Sequence, residues 1–478
     1  MALILRTLGQ LLFVFSCTLL PSIFIAWIYA EPIVPWVSIM LIILTLGLAF
    51  WYPNRNTVTK FEIRDGFLLT VLVWLSCSTV TAGILFWVVE GISVEDAAFE
   101  AVSALTTTGA TIMTGLEHMP KSILFFRQLL QWVGGVGIIF LGILILPALQ
   151  IGGMQLRPEL STSATETNFM PSRFKSHAKW LFATYVALTL CCALCYTAAG
   201  MSVFDGFAHA FSTTSIGGFS TYDDSIGYFN NPAIELVCML FMVIGAINFG
   251  LHYNALLTRS WQTYKKDAEW RFFIYSLLLV SALLCIPLLL RQDISTALSW
   301  REGLFQAISF VTTTGFTTTA THDWPVPVLL VLIISACIGG CSGSMAGGLK
   351  SFRILILLKQ IFKETTHLIH PKAIAALKIG NTVIPPRVQQ SLWAFMAVWL
   401  VSFVLLFAGA ILAGMDAFSA FSAVAACLTN LGPGQGTVAD NYGHIPLAAK
   451  YILIVAMLLG RLEIFTLLVI LTPSYWRR

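Results

Sequence analysis

Two short stretches of this sequence are rich in threonine and glycine, in a chain that is otherwise strongly apolar. Residues 310–320 read FVTTTGFTTTA, and residues 105–111 read LTTTGAT. Consecutive β-branched residues and glycine disfavour a helix, so extended backbone is predicted there. In a wet pocket such backbone turns its carbonyl oxygens towards the axis, and a ring of carbonyls can replace the hydration shell of a cation. The chemistry that these residues suit is therefore coordination of a cation by main-chain oxygens.

The same pattern occurs four times along the chain. Each glycine of the pattern follows a short semi-polar stretch at one constant offset, and these stretches occupy 99–103, 208–212, 305–309 and 422–426. The four segments read TTTGAT from Thr106, SIGGFST from Ser215, TTTGFTT from Thr312 and TNLGPGQG from Thr429. Close packing of small residues in a membrane explains one such segment, but not four in the same context. The fourth segment diverges most, and its equivalence rests mainly on its position.

We predict that the four segments surround one axis and form a cation-selective filter. Glycine permits the backbone angles that this requires, and threonine hydroxyls can satisfy neighbouring amides. A short helix before each segment would also point its partly negative C-terminal end at the ion. The candidate filter residues are Thr106, Thr107, Thr108, Gly109, Ser215, Ile216, Gly217, Gly218, Thr312, Thr313, Thr314, Gly315, Thr429, Asn430, Leu431 and Gly432.

The elements that must position these segments are membrane helices. Of the 478 residues, 57% are hydrophobic and 10% are charged, which excludes an ordinary soluble protein. Apolar runs of about 20 residues suffice to cross a bilayer. They predict ten spans, near 8–30, 34–53, 67–90, 120–149, 178–200, 232–258, 270–290, 325–360, 388–413 and 446–472. Shorter segments near 95–106, 203–214, 299–312 and 416–428 are predicted to be re-entrant helices, which need protein or a wet cavity around them.

The distribution of charge predicts the orientation of these spans. Most of the 27 lysines and arginines fall in loops on one side, which the positive-inside rule makes cytoplasmic. Both termini then lie in the cytoplasm, because the number of spans is even. Acidic residues such as Glu117, Asp223 and Asp440 fall on the other side. One explanation is that these residues only avoid the positive side. Another is that they form a negative vestibule that raises the local cation concentration, and the two explanations are compatible.

Two features interrupt the predicted spans. The eighth contains CIGGCSGSMAGGLKS at 337–351, and glycine and serine at this density break or loosen a helix. Arg461 lies within the tenth, where an arginine costs at least ~2.5 kcal/mol unless it is paired or faces water. A salt bridge with Glu463 is unfavourable, since residues two apart point to different sides of a helix.

In these features the chain resembles the bacterial Trk potassium-uptake proteins of the Trk/Ktr/HKT superfamily. The fourfold unit and GGCSGSMAGGLKSFR at 339–353 carry this resemblance, which covers essentially the whole chain. It implies an all-α polytopic membrane protein with four pseudo-symmetric helix–pore helix–helix repeats around a central pore. Two extra N-terminal transmembrane helices, typical of the TrkH and TrkG branch, would occupy 1–60. The repeats would occupy 61–150, 151–260, 261–375 and 376–478.

The resemblance also implies roles for individual residues. Glycine at one filter position in all four repeats accompanies potassium selectivity, and the matching residues here are Gly109, Gly218, Gly315 and Gly432. An intramembrane loop at 337–349 is expected to gate the pore, with an arginine beside it as a further barrier to cations. The expected gate residues are Gly339, Gly340, Gly343, Ser344, Gly347, Gly348 and Arg461.

The implied function is K+ uptake across the bacterial inner membrane through a selective, gated pore. K+ is then the transported ion, and no bound cofactor is expected in this chain. By resemblance we expect a homodimer that contacts membrane lipids, no nucleic acid, and a cytosolic TrkA-type subunit that holds the nucleotide. Basic stretches near 157–179 and 350–387 suit either a docking surface or lipid headgroups.

The sequence also bears on other classes of function. A Na+-permeable or H+- or Na+-coupled symporter of the same fold is the alternative. A membrane enzyme is disfavoured, because the eight histidines include no H-E-x-x-H pattern. A transporter working by alternating access is also disfavoured, since such folds often use inverted repeats, whereas these repeats all keep one orientation.

Overall fold

The computed structural model describes residues 2–57, 63–144, 172–289, 296–321, 324–372, 376–380 and 382–477. Among these residues the regular structure is helical, apart from one small hairpin. Its strands β1 (Lys378–Ile379) and β2 (Thr382–Val383) pair antiparallel. The predicted boundaries at 60 and 150 lie outside the described residues, as does the part of the predicted basic stretch 157–179 that precedes residue 172.

Three helices precede the repeated units: α1 (Ala2–Cys17), α2 (Leu20–Ile28) and α3 (Val34–Asn54). α1 and α3 cross closely, because a Cβ on Gly9 would lie 2.6 Å from the carbonyl oxygen of Gly47. Glu31, between α2 and α3, accepts hydrogen bonds from the amides of Lys121 and Ser122. This carboxylate therefore caps the first turn of the helix that begins at Lys121 and ties the N-terminal helices to the first unit.

Four units follow, each with a long helix, a short helix and a second, inner helix or pair of helices. The first has α4 (Ile63–Val88), α5 (Val94–Leu105) and α6 (Lys121–Leu144). The second has α7 (Ser172–Ala198), α8 (Val203–Thr214), α9 (Pro232–Gly245), α10 (Phe249–Thr258) and α11 (Gln262–Lys266). The third has α12 (Ala268–Leu289), α13 (Thr296–Val311), α14 (Val326–Ile338) and α15 (Ser351–Ile369). The fourth has α16 (Pro386–Leu412), α17 (Ala417–Leu428), α18 (Leu447–Arg461), α19 (Ile464–Leu471) and α20 (Pro473–Trp476).

The four short helices α5, α8, α13 and α17, termed the pore helices below, confirm the short helices predicted from sequence to within a few residues. Local signals start three of them. Ser93 and Ser202 each accept a hydrogen bond from the amide three residues on, and Asp416 accepts one from the amide of Ser419. The bond from Ser419 lowers the pKa of the Asp416 carboxyl.

Fewer uninterrupted spans are present than the sequence predicts. Among the described residues, six helical spans are long and apolar enough to cross a membrane, and one of them is formed by α1 and α2 together. Eight spans result if each of two bent helix pairs also counts as one. The other two predicted spans are α6 and the interrupted pair α14 and α15. The predicted continuous helices at 232–258 and 446–472 are wrong, because α9 and α10 meet at 94° and α18 and α19 at 105°.

Glycine allows the inner helices to approach the pore helices closely. A Cβ on Gly134 of α6 would lie 2.0 Å from the carbonyl oxygen of Leu105, and one on Gly460 of α18 would lie 2.3 Å from that of Leu428. Both oxygens belong to the last residue of a pore helix. The end of each of these two pore helices is thus packed directly against the backbone of an inner helix.

Candidate ion-conducting site

The four segments that follow the pore helices, termed the filter segments (106–109, 215–218, 312–315 and 429–432), have the same backbone conformation. The second residue of each is left-handed although none is glycine: φ is 51° at Thr107, 56° at Ile216, 60° at Thr313 and 53° at Asn430. Left-handed geometry is strained for β-branched residues, which three of these are. Such strain persists only where surrounding structure imposes it, and it concentrates at functional sites.

Main-chain hydrogen bonds impose this conformation. The amide of the third residue of each segment donates to a carbonyl five residues earlier, which closes the pore helix in a Schellman motif. These bonds join Thr108 to Ser103, Gly217 to Ser212, Thr314 to Ser309 and Leu431 to Ala426, at 2.8–2.9 Å. The segments therefore begin with the same turn of the chain in all four units.

The fourth residue of each segment is a left-handed glycine that touches the neighbouring segment. A Cβ on Gly109 would lie 2.2 Å from the carbonyl oxygen of Gly217, and one on Gly218 would lie 2.1 Å from that of Thr314. The corresponding distances are 2.1 Å from Gly315 to Leu431 and 2.4 Å from Gly432 to Thr108. Each segment thus contacts the next, and the fourth contacts the first, so the segments close a ring around one axis.

The fourth segment, which diverges most in sequence, keeps its place in this ring. Its glycine has φ of 100°, whereas the other three lie at 80–82°. Pro433 follows it directly, and the proline Cδ would lie 2.5 Å from a Cβ on Gly315. The fourfold symmetry predicted from sequence is therefore present in the backbone, with a small departure at Gly432.

One face of the ring opens into a cavity of about 440 Å³, termed the vestibule. Glycines of three filter segments and Pro433 line its floor, and Asp223, Asp224 and Asp440 lie among its walls. Asp223 is held in place because its carboxylate accepts hydrogen bonds from the amides of Gly115 and Leu116. The acidic residues predicted to face one side of the membrane include these three.

Arg127 of α6 is a functional candidate that the sequence analysis did not single out. It is fully buried, and its Nε donates to Glu100 Oε1 of α5 at 2.8 Å. Glu100 also accepts from the amide of Ile112 at 3.0 Å, and the Arg127 guanidinium lies 4.2 Å from the ring centroid of Phe219. A buried ion pair thus connects residues that closely follow the first and second filter segments. Its partners are 27 positions apart in the sequence, so no local pattern reveals the pair.

On the side of the ring opposite the vestibule lies the irregular segment 339–350, termed the intramembrane loop. Its start after α14 falls two residues later than predicted, and it ends at α15. The amide of Gly348 donates to the carbonyl of Thr429 at 2.9 Å, and that of Gly347 donates to Thr313 Oγ1 at 2.7 Å. A Cβ on Gly347 would lie 1.9 Å from the carbonyl oxygen of Thr429. The loop is therefore packed directly against the third and fourth filter segments.

The bend between α9 and α10 holds the loop from a second direction. The amide of Cys341 donates to the carbonyl of Ala246 at 2.8 Å, and that of Phe249 donates to the carbonyl of Gly343 at 3.1 Å. Asn248 donates from its side chain to the carbonyl of Ser342. The loop thus supplies hydrogen-bond partners for main-chain groups that the interruption between α9 and α10 leaves without helical partners.

Arg461 holds the loop from a third direction. It lies at the end of α18, where its Nη1 donates to the carbonyl of Met345 at 3.2 Å and its Nη2 donates to Thr107 Oγ1 at 2.5 Å. Glu463 forms its salt bridge with Arg353 of α15 instead, at 2.5 Å. In the part of the chain that the structure describes, no carboxylate forms a salt bridge with Arg461. A buried positive charge therefore lies between the first filter segment and the loop.

The structure thus brings together every residue predicted for the filter and the gate. The filter residues form one ring, and the loop residues with Arg461 lie beneath it. The bend after Gly245, which contacts the loop, was not predicted, because neither proline nor a charged residue marks it in the sequence.

Comparison with known proteins gives a consistent result. The family model "TrkH: Cation transport protein" matches residues 36–478. A curated protein of Vibrio parahaemolyticus, Trk system potassium uptake protein TrkH, is 46% identical and covers 99% of both chains. The TrkH protein of Escherichia coli is 42% identical over 99% of this chain and 98% of its own. The TrkG protein of Escherichia coli is 34% identical over 98% of this chain and 97% of its own.

A solved structure agrees over the same extent. The crystal structure of the potassium transporter TrkH from Vibrio parahaemolyticus superposes with a TM-score of 0.93 at 44% sequence identity, covering 99% of each chain.

Proposed function

Because this chain belongs to the TrkH family of cation transport proteins, we propose that it takes up K+ across the bacterial inner membrane through a selective, gated pore. The observation that carries this proposal is the closed ring of four glycine-containing filter segments. A ring of equivalent main-chain segments suits a monovalent cation, which is coordinated from all sides by carbonyl oxygens in place of water.

The filter residues of this proposal are the sixteen residues of the four segments. Left-handed geometry at the second and fourth residues of each segment sets the direction of the carbonyls between them. Glycine is required at the fourth position for two reasons. Its φ is positive, and the carbonyl oxygen of the neighbouring segment occupies the space that a Cβ would need. A side chain at any of the four glycines would push two segments apart and widen the ring.

The gate of this proposal is the intramembrane loop together with Arg461. The loop lies against the inner side of the third and fourth filter segments, where it obstructs the path of an ion leaving the ring. The unpaired charge of Arg461 adds an electrostatic barrier, which is large in surroundings of low dielectric constant. Opening would require the loop to leave its hydrogen bonds to Thr429, Ala246 and Arg461.

The remaining parts of the proposal rest on family membership and charge. The relatives are named as proteins of the Trk system. By analogy we propose that this chain forms a homodimer and is regulated by a cytosolic, nucleotide-binding subunit of the TrkA type. Both termini would lie in the cytoplasm, with the acidic vestibule facing outwards to receive K+. The four repeats would divide the chain near 61, 151, 261 and 376, after the two extra N-terminal helices.

Flux of 86Rb+ into liposomes that contain the purified protein tests the proposal. We expect uptake that K+ inhibits strongly and Na+ weakly, with control liposomes lacking protein showing none. Equal inhibition by Na+ would favour the Na+-permeable alternative, and dependence on an imposed H+ or Na+ gradient would favour the coupled symporter. Absence of Rb+ flux from folded protein would overturn the proposal.

A further inference from the structure

The third position of the filter segments differs among the four units. It is Thr108 in the first and Thr314 in the third, and each of these hydroxyls is hydrogen-bonded to the threonine hydroxyl two residues earlier, at 2.7 and 2.8 Å. The second unit has Gly217 there. The φ of Gly217 is not positive, so its backbone does not require glycine. Another feature of the structure must account for the missing side chain.

The space that a side chain at position 217 would occupy is filled by Gln131 of α6. A Cβ on Gly217 would lie 2.4 Å from both Cδ and Oε1 of Gln131, and 2.9 Å from its Cβ. Any residue larger than glycine is therefore excluded unless the glutamine moves. Gln131 belongs to the first unit, so one unit supplies the group that the next lacks.

Hydrogen bonds fix the orientation of this glutamine. Its Nε2 donates to the carbonyl of Gly217 at 2.6 Å, and its Oε1 accepts from Ser212 Oγ and from the amide of Phe219, the latter at 3.2 Å. Exchange of the oxygen and nitrogen would leave two donors facing each other, so only one orientation satisfies all three partners. The side chain is fully buried.

The carbonyl of Gly217 is also a contact point of the ring. A Cβ on Gly109 of the first segment would lie 2.2 Å from it. The equivalent carbonyls belong to Thr108, Thr314 and Leu431, and in the described part of the chain none of them accepts a hydrogen bond from a side chain. Gln131 therefore sets the position of one carbonyl where two filter segments meet.

We propose that Gln131 is a positioning residue for the ion filter, which replaces the side chain absent at Gly217 and holds the second segment against the first. This inference rests on the proposed function, since it concerns the selectivity of the same ring. Gln131 does not contact the ion path itself. It acts through the Gly217 carbonyl.

The first test removes the hydrogen bonds and keeps the volume. Gln131→Met leaves the Gly217 carbonyl without its donor, so we expect the ratio of K+ to Na+ inhibition of 86Rb+ flux to fall about tenfold. Gln389→Met is the matched control, since Gln389 also donates to a carbonyl, that of Ile384, but lies in α16 far along the chain from the filter. It should leave the ratio unchanged.

The second test exchanges the side chain between the two positions. Gly217→Thr alone should lower the yield of folded protein, because it collides with Gln131. The double variant Gln131→Ala with Gly217→Thr should recover yield and selectivity, because the threonine takes the vacated space and resembles Thr108 and Thr314.

The outcomes separate this inference from the proposed function. If the wild-type protein discriminates K+ from Na+ but Gln131→Met keeps the same ratio, the positioning role is overturned while the proposed function stands. If the double variant has no higher yield or selectivity than Gly217→Thr alone, the idea that Gln131 replaces the side chain absent at position 217 is overturned. If the wild-type protein conducts without discrimination, the proposed selectivity fails and this inference fails with it.

Discussion

The filter and the region directly beneath it are built on different principles, although the same four units form both. At the filter, each unit contributes the same backbone, with a left-handed second residue and a left-handed glycine. Beneath it the inner helices differ. The described part of α6 is continuous, α9 and α18 each end in a sharp bend, and α14 ends in the intramembrane loop.

This difference follows from the tasks proposed for the two regions. Coordination of an ion from all sides needs equivalent oxygens, so a change in one unit disturbs the whole ring. Obstruction of a path needs only one group, so a single unit can supply the loop while two others hold it. Substitutions can therefore test whether selectivity and gating are separate properties.

The largest effect is expected behind the filter, at the buried pair of Glu100 and Arg127. Arg127→Met leaves a buried carboxylate without its partner, which should destabilise the protein by about 3–5 kcal/mol. The midpoint of thermal unfolding in detergent measures this. Adding Glu100→Gln should recover most of the loss, since no charge then remains buried. A single variant as stable as the wild type would show that the pair does not brace the filter.

The next largest effect is expected at the ring itself. Gly315→Ser places a side chain against the carbonyl of Leu431 on a backbone with φ of 82°. Strain of about 1–3 kcal/mol corresponds to a loss of K+ preference over Na+ of about 5-fold to 150-fold. Competition of Na+ with 86Rb+ flux measures it. Gly83→Ser in α4 is the control, because a Cβ there meets no atom within 4 Å. Unchanged selectivity in Gly315→Ser would contradict the filter assignment.

Beneath the filter the expected effect is on the rate of flux. Arg461→Ala removes a buried charge and its hydrogen bond to the carbonyl of Met345. The loss of a charged hydrogen bond, about 1.5–3 kcal/mol, should raise basal Rb+ flux about tenfold or more. Shortening the loop within 343–348 should act in the same direction. The exposed Arg259 offers a control substitution to alanine. Lower or unchanged flux from folded Arg461→Ala protein would argue against a gate here.

The smallest effect is expected where the bend holds the loop. Asn248→Ala removes the bond to Ser342 and one helix cap, together worth about 1 kcal/mol, so basal flux should rise about threefold to tenfold with unchanged selectivity. Asn231 caps α9 without contacting the loop, and Asn231→Ala is the matched control. If both variants behave alike, the cap and not the loop contact explains the result.

Much of the fold could be predicted because its signals are local. Apolar runs marked the membrane helices, and short semi-polar stretches marked the pore helices. Repetition at a constant offset identified even the divergent fourth segment, because spacing is preserved where residue types change. The same pattern identified Gly109, Gly218, Gly315 and Gly432 as positions of special backbone.

The sequence by itself therefore determined the membrane class, the fourfold unit and the residues of the proposed filter, since helix length and glycine freedom depend on neighbours along the chain. Only the tertiary structure decided the pairing of Arg127 with Glu100, the place of Gln131 beside Gly217, and the bends that hold the intramembrane loop. These depend on contacts between different units, where a buried polar group must find its partner in space rather than in sequence. The partners lie tens of residues apart, so no local pattern records them.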